Sequence, residues 1–233
     1  ALAWSGQNGR LGYLLSGNLG SDYQYTKSNE YSLNGDYSAN DTRDQNRYVD
    51  TTTYSLNTNL SFAFTDRDRI AFNALYNESE PTQRVLRTIT DLNPVVPVVT
   101  FEREENPTSA DNWEIGGDYQ HNFLKGNRFK FLFIVNDKDS HTTRERFIST
   151  ELESDETKNL FLDTTSRYRE RIFRSSYTMS LADEQGLEFG IEAAQTIQDS
   201  GLRLGMPTSS PGLPEYGGLT PIPFPNAFST VEE

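Results

Sequence analysis

The stretch that decides the fold is YSLNTNLSFAFTDRDRIAFNALY, residues 54–76. Tyr54, Leu56, Leu60, Phe62 and Phe64 share one parity, interrupted only by Thr58, while Ser55, Asn57, Asn59, Ser61 and Ala63 fill the other. A strand points successive side chains to opposite faces, so this alternation predicts a strand with one apolar and one polar face. After the charged turn TDRD, Ile70, Phe72, Ala74 and Tyr76 alternate with Arg69, Ala71, Asn73 and Leu75. The whole reads as a β-hairpin.

The same design recurs in LAWSGQNGRLGYLLSGNL (2–19), WEIGGDYQHNFLKGNRFKFLFIV (113–135) and FRSSYTMSLADEQGLEFGIEAAQTI (173–197). The turn centres, Asn8, Arg67, Gly126 and Gln185, are spaced by about 59 residues. Between the hairpins lie polar segments of about 30 residues, at 21–50, 78–111, 137–167 and 199–227, which read as long loops. Short turns at one end and long loops at the other predict an all-β antiparallel meander of about seven to eight strands.

Composition narrows the function classes. Asp and Glu number 34 against 21 Lys and Arg, for a formal net charge of -13, so no broad positive field exists for nucleic acid. There is no cysteine, hence no disulfide or thiolate metal site. No apolar run reaches the roughly 18 residues of a membrane-spanning helix, which leaves a barrel as the one membrane architecture to weigh. The first residues, ALAWSGQNGR, carry neither an initiator Met nor a signal-peptide pattern, which is expected of a processed chain or a piece of a longer one.

Three features favour a transmembrane β-barrel over a soluble sandwich. The alternating stretches run to about 10 residues, the length of a tilted bilayer crossing. Arg10, Arg69, Glu114, Asp118, Arg128, Lys130, Arg174, Glu188 and Glu192 all fall opposite the apolar rows. Aromatics bracket the strands, with Trp4, Phe64, Phe123 and Phe129 beside the short turns and Tyr23, Tyr54, Tyr76, Trp113 and Phe173 toward the loops.

These hairpins, with FSTVEE (228–233) as the start of a further strand, resemble the middle of the barrel of a TonB-dependent outer-membrane receptor. The resemblance implies that residues 1–233 are part of a single outer-membrane β-barrel domain, a fragment without plug domain, signal peptide or C-terminal strand. It implies periplasmic short turns and extracellular loops in a Gram-negative outer membrane. The function implied is import of a bulky scarce nutrient such as a siderophore, cobalamin or an oligosaccharide. Its partners would be outer-membrane lipid, the plug domain of the same chain, a TonB-type energy-coupling complex and a small-molecule ligand. A passive porin or another outer-membrane assembly barrel is the alternative, with a hydrolase or a soluble β-sandwich behind it.

Candidate site residues follow from that reading. Glu114, Asp118, Glu188 and Glu192 on the polar faces would contact the plug, and Tyr31, Tyr37, Tyr48 and Phe101 would offer stacking surfaces in the loops. His141, with Asp137 and Asp139 close by, resembles the Asp/His pair of a hydrolase but reads better as part of a solvated charged segment, and His121 as an imidazole beside a short turn. DKDSHTTRERFI (137–148) begins like a calcium loop but lacks the central Gly and has Ile148 where a bidentate Glu belongs. The expectation is a chain without catalytic residues, metal or cofactor.

Overall fold

The strands do not stop where the apolar alternation ends. The computed structural model describes residues 1–150, 155–182, 185–225 and 227–233. In it the strands are β1 (Leu2–Asn8), β2 (Leu11–Leu33), β3 (Ala39–Ala63), β4 (Asp68–Asp91), β5 (Val98–Asn122), β6 (Arg128–Ser149), β7 (Thr157–Ala182), β8 (Gln185–Met206), β9 (Thr220–Ile222) and β10 (Phe228–Glu232). They form one antiparallel sheet in the order β1-β2-β3-β4-β5-β6-β7-β8-β10, with β9 beside the end of β8.

The first three polar segments expected as loops are therefore mostly strand, whereas among the described residues of 199–227 only 199–206 and 220–222 are strand. Thr, Tyr and cross-strand Arg/Glu pairs suit a pleated surface as well as Leu and Phe do. The true connections at that end are 34–38, 92–97, 150–156 and 207–219. Part of the third, 151–154, lies outside the described residues, as does Asn226 in the fourth segment expected as loop. At the other end Gly9 takes φ 60 between Asn8 and Leu11, and Gly126 takes φ 78 in a short 3-10 turn, Leu124–Gly126. In the turn before β4 the Thr65 hydroxyl accepts from the Arg67 and Asp68 amides at 3.1 and 3.0 Å and donates to the Asp68 carboxylate at 2.5 Å. Tyr119 and His121 also bond Asp68, and these contacts, that from His121 foremost, hold its carboxyl below the usual carboxylate range. Asp183 and Glu184 of the expected DEQG turn lie outside the described residues.

The sheet is open, and this overturns the barrel expectation. β1 and β10 end the order and do not pair with each other, so both edges carry bare backbone groups. Hydrocarbon does not tolerate such edges, because every backbone group there must be satisfied internally. The long strands also run to 22–26 residues, roughly 80 Å at about 3.3 Å per residue. The hydrocarbon layer is about 30 Å thick. A closed transmembrane β-barrel is thus not what this chain forms. The readings that rested on closure go with it: the TonB-dependent receptor wall, nutrient import or a porin as function, and an outer-membrane location. No helix among the described residues is long and apolar enough to cross a membrane.

One continuous register keeps the two faces distinct across the sheet. The first face carries the apolar rows near the short turns, and Leu56, Phe72 and Ile191 are exposed on it. The second face carries Asn, Ser and charge. Val85 is the sole buried hydrophobic residue among those described, whereas Glu104, Asp137 and Asp163 are buried carboxylates. A single layer has no opposing layer to pack against, so ladder hydrogen bonds and ion pairs take the place of a core.

The largest ion-pair group spans β4, β5 and β6 on the second face. Glu104, 2% exposed, accepts from Arg87 at 2.6 Å and from Arg144 at 2.7 and 3.1 Å. Burial opposes its ionisation, yet the two guanidinium groups outweigh that and hold its carboxyl below the usual range. Arg87 also donates to Glu102 and to Gln45, and Arg146 stands 3.7 Å from Glu102. On the first face Arg103 bridges Glu105 and Glu156 and lies 4.2 Å over the Phe147 ring.

Candidate functional site

Strand register assembles a polar cleft on the first face, beyond the apolar rows. One row across five strands reads Asp111, Asp139, Arg167, Asp199, Thr230; the row beside it reads Ser109, His141, Thr165, Gly201, Phe228. Each neighbour is a direct cross-strand partner. Together they line a cleft of about 490 Å³.

Most polar groups in it are held in place from within the sheet. Arg167 donates to the buried Asp137 at 2.7 and 3.2 Å and stands 3.7 Å from Asp139, and these carboxylates, the Asp137 bond foremost, raise its pKa. Asp199 accepts from Thr230 and from Arg169, each at 2.6 Å, which holds its carboxyl below the usual range. His141 Nε2 bonds Asp163, whose other oxygen accepts from Arg203 at 3.3 Å. Imidazole and guanidinium are thereby oriented before any ligand arrives.

Two groups are not so quenched. Asp111 has no ion-pair partner among the described residues, and it lies directly across from Asp139. Burial pushes the Asp139 carboxyl above the usual range, with Asp137 and Asp111 adding to the rise and Arg167 only partly opposing it. Like charges side by side across a pair of strands are destabilising, so this arrangement needs a reason beyond folding. Asp139→Asn is expected to raise the melting temperature at pH 7. A carboxyl with a raised folded pKa destabilises the fold progressively as pH rises above its ordinary value of 3.8. The gain in the Asn variant therefore grows from about pH 4 upward, read by thermal melts across that range.

Gly201 and Phe228 supply the apolar element. A Cβ on Gly201 would stand 2.6 Å from the Thr165 hydroxyl and 3.1 Å from the Phe228 ring, so only glycine lets the ring lie close above the floor. Phe228 is itself 65% exposed. The cleft thus offers a ring face, hydrogen-bond acceptors in excess and one guanidinium.

The residues expected from sequence fall elsewhere. Glu114, Asp118, Glu188 and Glu192 share the second face, but β6 and β7 separate the two pairs. Asp118 stands 3.9 Å from Lys130 and Glu192 stands 4.0 Å from Arg174, while Glu114 and Glu188 lie opposite Leu75 and Thr178. Tyr31 lies near the end of β2 and Tyr48 lies within β3 against Tyr25, ring centres 5.2 Å apart. Phe101 sits in β5 opposite Thr88 and Ser149, and Tyr37 alone is in a turn, with φ 65. Asp139 and His141 do reach the cleft, although sequence reasoning set them aside as solvated charge.

Asp111, Arg167, Asp199 and Phe228 were missed. The available signal was period-2 polarity: Asp137, Asp139 and His141; Thr165, Arg167 and Arg169; Asp199, Gly201 and Arg203, each continuing the parity of an apolar row. Among the described residues no cluster of three or more His, Cys, Asp or Glu side chains has metal-binding geometry. No family model matches the chain, and no curated protein matches it.

Proposed function

We propose that this chain is a non-catalytic binding module that holds a neutral, polyhydroxylated ligand, a saccharide, in the cleft between β5 and β10. The observation that carries this is the row Asp111, Asp139, Arg167, Asp199 beside an exposed ring over a glycine floor. Neighbouring sugar hydroxyls donate to carboxylates and accept from a guanidinium, and the C–H face of a pyranose packs on an aromatic ring. The surplus of carboxylates disfavours phosphates and other anions. His141 is engaged by Asp163, and Asp199, which accepts from the Thr230 hydroxyl, is also held by Arg169, so binding rather than turnover is the reading.

The test is titration calorimetry of the chain against neutral and anionic oligosaccharides. A neutral sugar is expected to bind with affinity lowered about tenfold or more by Phe228→Ala, since a stacked ring and its burial are worth at least about 1.4 kcal/mol. Asp111→Asn is expected to weaken binding without destabilising the sheet. Preference for anionic ligands, or binding indifferent to both variants, would refute the proposal.

A further inference from the structure

The second face carries a cleft of its own, of about 480 Å³, against the ion-pair group of β4, β5 and β6. The register lays Gln83, Asn106 and Arg144 side by side across it, with Thr108, Thr142 and Thr164 in the next row. Arg47 from β3 and Arg87 from β4 also line it.

Two features of this cleft cost the sheet stability. Pro81 and Pro107 are the two prolines within β2 to β8, and they stand on neighbouring interior strands. Neither has an amide hydrogen to give. The pairing accordingly skips from Ser79–Ala110 to Thr82–Pro107 on one side of β5, and from Glu105–Glu145 to Thr108–Thr142 on the other. Proline is otherwise a residue of sheet edges. Between the two breaks Asn106 Oδ1 is buried and bonds nothing among the described residues, an acceptor left without its donor. Ladder bonds and a buried amide are thus given up at one spot.

We propose that this cleft is a second binding site, for the phosphate monoester of a polyol. Three guanidinium groups line it against one carboxylate, Glu104, the reverse of the chain's overall balance. Glu104 accepts from Arg87 and Arg144 and so fixes both, while Glu102 takes a further bond from Arg87. Arg47 donates to Gln83 at 2.8 Å and has no ion-pair partner among the described residues, so its charge is unmatched. A phosphate monoester brings three terminal oxygens and close to two charges to these three arginines, where a carboxylate brings two oxygens and one charge. The hydroxyls of the same ligand donate to Asn106 Oδ1 and exchange bonds with the threonine row, whose Thr108 and Thr142 oxygens stand 3.0 Å apart. The site lies on the opposite face from the saccharide cleft and does not rest on that reading.

Titration calorimetry of the unaltered chain with glycerol phosphate, methyl phosphate, succinate and glycerol tests this. Glycerol phosphate is expected to bind, methyl phosphate and succinate about tenfold or more weakly, and glycerol not at all. Arg47→Gln is expected to weaken glycerol phosphate about tenfold or more at an unchanged melting temperature. Asn106→Leu is expected to bring glycerol phosphate down to the affinity of methyl phosphate and to leave methyl phosphate itself unchanged, which a merely distorted cleft would not do. Phe228→Ala, on the other face, leaves every one of these affinities as it was. No heat from glycerol phosphate, equal affinity for methyl phosphate or succinate, or indifference to Arg47→Gln overturns the proposal.

Discussion

Arg87→Met is expected to lower the stability of the sheet by about 3 kcal/mol, the usual effect of stranding a buried carboxylate. Arg87 donates to both Glu102 and Glu104, and without it two poorly exposed carboxylates on one strand are left to Arg144 and Arg146. Arg144 and Arg146 reach partly into solvent and cannot serve both fully. The loss belongs to the pair rather than to the arginine. Arg87→Met/Glu104→Leu is therefore expected to recover at least half of it, since an apolar residue beside Val85 needs no partner. Urea unfolding of the two variants checks this through the shift in midpoint at constant m-value. Equal stability of the single variant and the parent chain would mean that the ion pairs do not take the place of a core.

Arg167→Met is expected to be the most damaging change at the cleft. Asp137, 8% exposed, loses both of its guanidinium bonds, and Asp137 and Asp139 are left near the unpaired Asp111 with the cation that the two of them share gone. Because Arg167 is itself about half exposed, the expected loss at pH 7 is smaller than that for a deeply buried pair. The sign with pH is diagnostic. Arg167 is the cation that opposes the rise at the Asp139 carboxyl, so without it that carboxyl is held further above its ordinary value, and the variant loses stability as pH rises and regains it as the carboxyl protonates. The gap between variant and parent should therefore narrow from pH 7 toward pH 4, measured by thermal or urea unfolding. Saccharide binding should be lost across the same range.

The hairpins were legible because the apolar rows are. Tyr54 to Phe64 and Ile70 to Tyr76 differ so sharply from their intervening residues that the strands and the turn between them follow directly. Strand length was not legible. Where neither face is uniformly apolar, as at Arg43 to Thr52 or Thr82 to Thr90, alternation leaves no contrast to read, and the same residues suit a loop equally well. The barrel reading rested on that shortness, on short turns alternating with long loops, on aromatic placement and on the segregation of charge, but face segregation is a property of any sheet with two unlike sides. The cleft was hidden for a related reason. Its members come from five strands, and only the register among them sets Asp111 beside Asp139 or Phe228 over Gly201.

The strictly sequential order of the sheet has a consequence for how it comes apart. Each long strand pairs only with the strands beside it in the order, so among the described residues no long helix or second layer ties distant strands together. Stability in such an arrangement is close to a sum of nearest-neighbour terms, as in a repeat array. Unfolding then proceeds by fraying, one strand at a time from either flank, and amide exchange grades from fast at β1 and β10 to slow around the β5/β6 pair.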